Sequence, residues 1–364
     1  MSVALLTTYL APYRVPLYER LAAQHAVEVL CFGGGTRYVP PWFADLDAQV
    51  AAAPFPARRI HGVTGAISAA RNYDALIAPF AGGAILPAAY AAARLNRRPF
   101  VLWASVWAQP RSWGHLVALP AVRHIYRRAD AVVTYGEHVR RFVASLRGRG
   151  NDVFVAPQAV EPELFGRPVG EEETASFRRH HELGHGPLAL YVGRLVPEKG
   201  VALLLEAWRG LGAEASLVLV GDGPLGDAAR AAAPFGVRWL GPLPREQLAV
   251  AYASAAFALL PSIPTARFRE PWGLVCNEAM LQGRSVIASD TVGAVAGGLV
   301  RHEETGLVVS AGDAAALGRA IARLLGDEHL RLRLGEAARE AAGAYTYDAM
   351  AEAFGAALAV AGVH

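Results

Sequence analysis

Two stretches of this chain carry residue types able to bind and activate a phosphorylated substrate. The first reads YVGRLVPEKGVALLLEAW: an apolar run, Leu188–Val192, leads into Gly193, Arg194, a short loop, Lys199, Gly200 and a helical pattern. In an open α/β sheet, ligands sit beyond the carboxyl ends of strands, where glycine lets the backbone approach and a helix N-terminus favours anions. Arg194 and Lys199 would add two positive charges at that edge. The guanidinium can grip two oxygens at once and the ammonium is a compact charge, which suits a diphosphate. Read alone, the same two cations serve equally well as caps on surface loops.

The second stretch reads REPWGLVCNEAM. Glu270 precedes Pro271, which favours an extended residue before it, and Trp272, Gly273 and a helix through Glu278 follow. A helix starting near Gly273 would offer free N–H groups to a phosphate oxygen. Glu270 would then lie in the loop over the ligand, with Glu278 one to two turns into the helix. Carboxylates so placed can accept hydrogen bonds from sugar hydroxyls. For an isolated pair, a surface glutamate and a helix-dipole partner are the better account.

Elements must hold these groups in place, and the chain supplies them as short apolar runs alternating with amphipathic, Ala-rich segments, the pattern of βαβ units around parallel sheets. The first half predicts strands near Val3–Thr7, Val27–Phe32, Ala75–Ala78, Phe100–Ala104, Ala131–Thr134 and Val153–Ala156. Helices are expected over Val15–Gln24, Ile85–Leu95, Ala121–Arg127 and Gly136–Leu146, with Thr36–Ile60 a long loop holding a short strand. The sequence turns polar between Gln158 and Pro187, and the βα series then restarts at Leu188 and runs to two helices ending near Ala342. Two such series imply two Rossmann-like domains facing a central cleft. The expected division is residues 1–165 for the first domain, 166–345 for the second, and 346–364 for a terminal apolar helix.

The 364 residues carry 35 basic and 32 acidic side chains, a balance that argues against nucleic acid as partner. The small positive excess and positive mean hydropathy are compatible with peripheral attraction to an anionic membrane surface. Cys31 and Cys276 are far apart and outside any CxxC spacing, so they read as free thiols in two cores, as in a reducing cytoplasm. The N-terminus lacks the basic and apolar regions of a secretory signal. The uncharged stretch Leu248–Ala266, interrupted by Pro261 and Pro264, reads as a buried helix turning into a buried strand. Asp45-Leu46-Asp47 has the form of a metal-binding acidic pair but lies in a Pro-rich loop, and His180, His181 and His185 fall in the polar linker without Cys partners. No metal is expected at either.

Taken in order, GRLVPEKG and EPWGLVCNEAMLQGRSVIASDTVGA resemble the donor-binding domain of retaining GT-B glycosyltransferases of family four (glycosyl transferases group 1). That family has an E-x₇-E signature, matched here by Glu270 and Glu278, and RHEETGLVVSAGDAAALGRAIARLL resembles its usual close. The resemblance covers roughly Leu188 to Leu325. It implies a metal-independent transferase that retains anomeric configuration and takes a nucleoside-diphosphate sugar, most commonly UDP-linked, with no further cofactor, and a terminal helix over 346–364 that crosses back to the first domain. Arg194 and Lys199 would bind the diphosphate, Glu270 the donor sugar, Glu278 the ribose, and the backbone of Gly273 and Leu274 a phosphate. Gly193 and Gly221 would line the site, and Arg238–Gly241, including Leu240, would lie against the base. Partners would be that donor and a glycan, lipid-linked or small-molecule acceptor.

In the first half, TTYLAPYRVPLYERLA resembles the family's opening strand, loop and helix, which would put Tyr9, Tyr13 and Arg14 at the cleft mouth. It has Leu10-Ala11-Pro12 where many relatives carry Gly-Gly, and Ser105 to Trp107 where they often place a histidine or acid. Trp107, Arg111 and Trp113 could instead wall an acceptor site, with Trp103 either beside them or in the strand core, and His115, Gly82 and Gly83 nearby. Two alternatives share the architecture: a nucleotide-sugar epimerase, and a non-catalytic sugar-nucleotide-binding scaffold.

Overall fold

A computed structural model describes residues 1–33, 45–80, 83–108, 113–209, 211, 215–266 and 268–363, with the backbone alone for 113–118. The chain divides into two compact units, Met1–Ala159 with Thr346–His364, and Val160–Tyr345. The division falls at Ala159 and not at residue 165, because the segment after it is tied to the second unit. Glu161 pairs with Arg245 at 2.6 Å, and Gln282 donates to the Phe165 carbonyl at 2.7 Å.

The first unit is built on β1 (Val3–Thr7), β2 (Val27–Cys31), β3 (Ala57–Arg59), β4 (Ala75–Pro79), β5 (Phe100–Ala104), β6 (Ala131–Thr134) and β7 (Val153–Val155). They form one parallel sheet in the order β3-β2-β1-β4-β5-β6-β7. The central strands β1, β4, β5 and β6 are almost wholly buried apolar runs, as a parallel sheet covered on both faces requires. The terminal helix, Tyr347–Val360, lays Met350, Phe354 and Leu358 into the core on one face of this sheet.

Three expectations need correction here. The stretch around residue 45 is not all loop: Asp45 caps a helix over Leu46–Ala51, accepting from the Ala48 N–H at 2.9 Å, while residues 34–44 lie outside the described residues. A helix not anticipated at all spans Gly62–Asn72 and buries Ala66, Ala69 and Ala70. The helix expected to begin at Ala121 starts at Trp113 and carries Pro120 within it.

The second unit repeats the scheme with β8 (Leu188–Val192), β9 (Ser216–Val220), β10 (Val237–Gly241), β11 (Phe257–Leu260), β12 (Val286–Ser289) and β13 (Gly306–Val309). Their order is β10-β9-β8-β11-β12-β13, again all parallel. The strand order reverses between β8 and β11, and the carboxyl ends flanking that point form the crevice where doubly wound sheets take their ligands. Cys31 and Cys276 are free, buried and in different units, and burial pushes the Cys31 thiol up to about 12. Among the described residues no helix is long and apolar enough to cross a membrane.

Candidate active site

The segments leaving β8 and β11 meet at the reversal point. After β8 the chain passes Gly193, Arg194, Leu195 and Val196, then makes a tight turn over Pro197–Lys199 with proline at its start. Gly200 ends the turn at φ 71°, and a Cβ there would stand 2.0 Å from the Pro261 carbonyl oxygen. Only glycine lets the two segments touch so closely. The contact is sealed by the Ile263 N–H donating to the Glu198 carbonyl at 2.9 Å.

That closure puts Lys199 Nζ 2.5 Å from Glu270 Oε2, both side chains largely buried at 14% and 8% exposure. Ser262 Oγ donates to the same oxygen at 3.1 Å. The Ser262 carbonyl is itself held by Ser289 Oγ and, at 3.2 Å, by Thr291 Oγ1, which fixes the segment to the end of β12. The Glu270 carbonyl accepts from Gly293 N–H at 3.1 Å, and the Trp272 indole donates to Asn277 Oδ1 at 2.7 Å. The residue before proline is thus a buried, hydrogen-bonded carboxylate, not a solvated loop glutamate.

Arg194 stands differently. Its side chain is 41% exposed, and the nearest carboxylate, Glu198, is 4.0 Å away, so the guanidinium can turn toward an incoming anion. Its backbone is rigid: the Tyr191 hydroxyl donates to the Arg194 carbonyl at 2.9 Å, and Leu195 N–H donates to the Asp222 carbonyl at 2.9 Å. Gly221 has φ 128°, and a Cβ there would lie 2.1 Å from the Gly193 carbonyl oxygen. The loops after β8 and β9 therefore pack backbone to backbone. Asp222 Oδ1 accepts from the Gly223 N–H at 2.7 Å, closing the tight turn.

Gly273, at φ 99°, precedes a helix over Val275–Leu281 for which Leu274 is the N-cap residue. Glu278 lies on that helix, with Oε2 accepting from the Tyr252 hydroxyl at 2.7 Å. Burial raises its pKa above the ordinary glutamate range, against the opposing pull of the Tyr252 bond and of Arg245. Leu240 sits half-buried on β10, the outermost strand, and Arg230 stacks 4.3 Å from the neighbouring Trp239 ring.

In the first unit Arg14 does not project at a mouth. It is 5% exposed and sits beside the rings of Trp103 at 4.9 Å, Tyr135 at 5.1 Å and Tyr13 at 5.3 Å, donating to Gln158 Oε1 at 2.5 Å. Trp103 is core, packed edge-on against Phe354. Trp107 is half-buried and stands edge-on to His138 at 5.1 Å. Arg111 and Gly82 lie outside the described residues, as do the side chains of Trp113 and His115. Asp45 is used as a helix cap and Asp47 pairs with Arg59.

Sequence reasoning missed Ser262, Tyr252 and Gly293. Ser262 had a positional signal, since it follows a buried strand at the ligand end. Gly293 packs where a Cβ would meet the Pro271 carbonyl oxygen at 2.0 Å, and Tyr252 reaches Glu278 only through helix packing. Neither leaves a mark in local pattern.

Residues 172–341 match the family model described as glycosyl transferases group 1. The second unit belongs to that family. The chain is 35% identical over 219 residues to D-inositol 3-phosphate glycosyltransferase of Corynebacterium glutamicum, covering 55% of this chain and 49% of that one. It is 31% identical over 244 residues to the GDP-mannose-dependent alpha-(1-6)-phosphatidylinositol monomannoside mannosyltransferase of Mycobacterium tuberculosis, covering 62% of each. The chain thus spans between about half and under two thirds of these relatives' length. Among solved structures, Anabaena HepE in complex with UDP superposes with a TM-score of 0.82 at 18% identity, covering 99% of this chain and 100% of that one. The fold is accordingly that of GT-B glycosyltransferases, two Rossmann-like α/β domains with parallel sheets.

Proposed function

We propose that this chain is a retaining, metal-independent glycosyltransferase that moves a sugar from a nucleoside diphosphate to an acceptor hydroxyl. The observation that carries the reading is the buried Lys199–Glu270 pair at the strand-order reversal, with Arg194 half-exposed beside it. A pair of this kind offers a cation for the departing diphosphate and a fixed carboxylate for donor-sugar hydroxyls within one small volume. Glu278 takes the ribose in this reading, Gly193, Gly221, Leu240, Gly273 and Leu274 line the donor, and Tyr13, Trp107, Arg111 and Trp113 serve the acceptor.

The chemistry needs no protein nucleophile. The acceptor oxygen bonds to the anomeric carbon on the face from which the β-phosphate oxygen departs, and that oxygen takes the acceptor's proton. Arg194 and Lys199 stabilise the negative charge gathering on the leaving group. We assign a uridine donor, in keeping with the UDP named for HepE, against the GDP-mannose named for the mycobacterial relative. The acceptor is a glycan, lipid-linked or small polyhydroxylated molecule, and a cytoplasmic enzyme at the inner face of a membrane fits the lipid-linked case.

Thermal-shift titration with UDP, GDP, ADP and their sugars tests the donor, since a ligand of the native state raises the melting point by mass action. A shift with UDP that is lost in Lys199→Ala supports the assignment. No shift with any nucleotide at millimolar concentration removes it. Anomeric analysis of the product by NMR decides retention against inversion.

A further inference from the structure

The second unit holds another concave site, at the opposite ends of its strands. A cavity of about 760 Å³ is lined by the segments that enter β8, β11 and β12, together with the helix Glu328–Gly343. Arg178 and Arg284 reach it from two sides. Arg178 donates to the carbonyls of Gly184, Gly186 and Ser254 at 3.1, 2.9 and 2.8 Å. Arg284 Nη2 donates to the Ala253 carbonyl at 2.6 Å.

Main-chain oxygens satisfy these N–H groups but supply no full counter-charge. Burial holds the Arg178 pKa below its usual value, and burial together with the Arg178 charge does the same to Arg284. Among the described residues no carboxylate offsets either one. Arg284 Nε is buried and has no hydrogen-bond partner among those residues. Arg331 and Arg339 stand on the cavity wall with Glu328 and Glu336, so cations outnumber carboxylates. Two half-buried like charges without a carboxylate counter-charge, at the wall of an open volume, form an arrangement that an anion completes.

We propose that this cavity is a second anion site, distinct from the loops after β8 and β11, that takes a small phosphate-bearing ligand. Arg178 and Arg284 form its floor, Arg339 closes on the ligand's outer oxygens, and Arg331, whose Nη1 donates to the Leu324 and Leu325 carbonyls at 2.6 and 3.0 Å, adds positive charge at the wall. Phosphate chemistry fits because a tetrahedral anion can meet guanidinium groups from several directions at once.

The test uses the full chain carrying Arg194→Ala and Lys199→Ala, so that the first site cannot report. Inorganic phosphate and pyrophosphate are titrated against sodium chloride at matched ionic strength, reading the melting temperature and the heat of binding. The expected result is a saturable stabilisation by phosphate or pyrophosphate absent with chloride. It should weaken about tenfold in Arg284→Gln, the loss of one charge-assisted bond. Arg339→Gln, at an exposed position, should weaken it too and covers the case in which the Arg284 variant does not fold. No phosphate-specific stabilisation, or one unchanged in the pocket variants that fold, overturns the proposal.

Discussion

Lys199 and Glu270 are 71 positions apart in the chain, yet Nζ and Oε2 stand 2.5 Å from each other in a largely buried setting. Each is the other's counter-charge, and under the proposed function each is also a ligand for the donor. Removing one leaves a desolvated charge behind, which costs about 3–5 kcal/mol for a buried pair. Lys199→Ala and Glu270→Ala should each lower both turnover and stability. The double variant should be less destabilised than the two losses added, by about 1–3 kcal/mol, in a urea-unfolding cycle. Turnover should fall at least about a hundredfold in each single variant, as for other lost transition-state contacts, and additive stabilities would show that the pair is not coupled.

The glycine contacts give a second expectation. Gly221→Ala and Gly200→Ala place a Cβ within 2.1 and 2.0 Å of a carbonyl oxygen and in left-handed backbone. Each should cost at least about 1–3 kcal/mol and weaken nucleotide binding. Gly170→Ala, where no atom lies within 4 Å, is the matched control. Equal melting temperatures for all three would contradict the packing.

Glu278 sets a pH limit. Its carboxyl is raised by burial, so it gains its proton at a higher pH than a free glutamate does. The native state holds that proton more tightly, so this group's contribution to stability is largest at low pH and declines as pH rises from the ordinary glutamate range through the raised value. Ribose binding at Glu278, as proposed, needs the charged acceptor and follows the opposite course, weakening as pH falls through the same window. The Tyr252 bond lowers this pKa, so Tyr252→Phe should move the acid limb of nucleotide affinity to higher pH. Calorimetric titration across pH 4–8 reads both limbs, and an unmoved limb would separate Glu278 from the ribose.

Asp152 offers the reverse sign in the first unit. Burial works against its charge, but bonds from Arg147 and Arg149 outweigh that and hold its pKa below the usual aspartate value. The stability it contributes is fully present above the ordinary aspartate pKa and is lost as pH falls through the lowered one. Asp152→Asn should cost about 3–5 kcal/mol at neutral pH because Arg147 is left buried and unpaired. The variant's acid-unfolding curve should also be flatter below the ordinary aspartate range.

Phe354 probes the terminal helix. It is fully buried against Trp103, within a core that the terminal helix shares with residues between Val3 and Ala159. Phe354→Ala should cost about 3–5 kcal/mol. The loss should appear in hydrogen exchange of β1, β5 and β6 amides, and protection unchanged there would detach the helix from that core.

Much of this arrangement was legible in the residues before any coordinate. Strands such as Leu188–Val192 and Phe100–Ala104 are short apolar runs whose burial on both faces is written in composition. Gly193, Gly200, Gly221 and Gly273 stand where strands or turns end, so their types announce close backbone approach. The spacing of Arg194 and Lys199, and of Glu270 and Glu278, carried the family likeness because those positions are local.

What only the tertiary structure decided is non-local. The helix Gly62–Asn72 has two glycines and β-branched residues in its first turns, a poor intrinsic former, and it exists because Ala66, Ala69 and Ala70 let it pack closely on Ile85–Leu95. The surround of Arg14 joins three rings, of Tyr13, Trp103 and Tyr135, and the Gln158 amide from four separate parts of the chain. Lys199 finds Glu270, and Tyr252 finds Glu278, only after β8, β11 and their helices are in register. Local pattern encodes which face of an element is apolar, but the partner a buried charge finds depends on how whole elements pack.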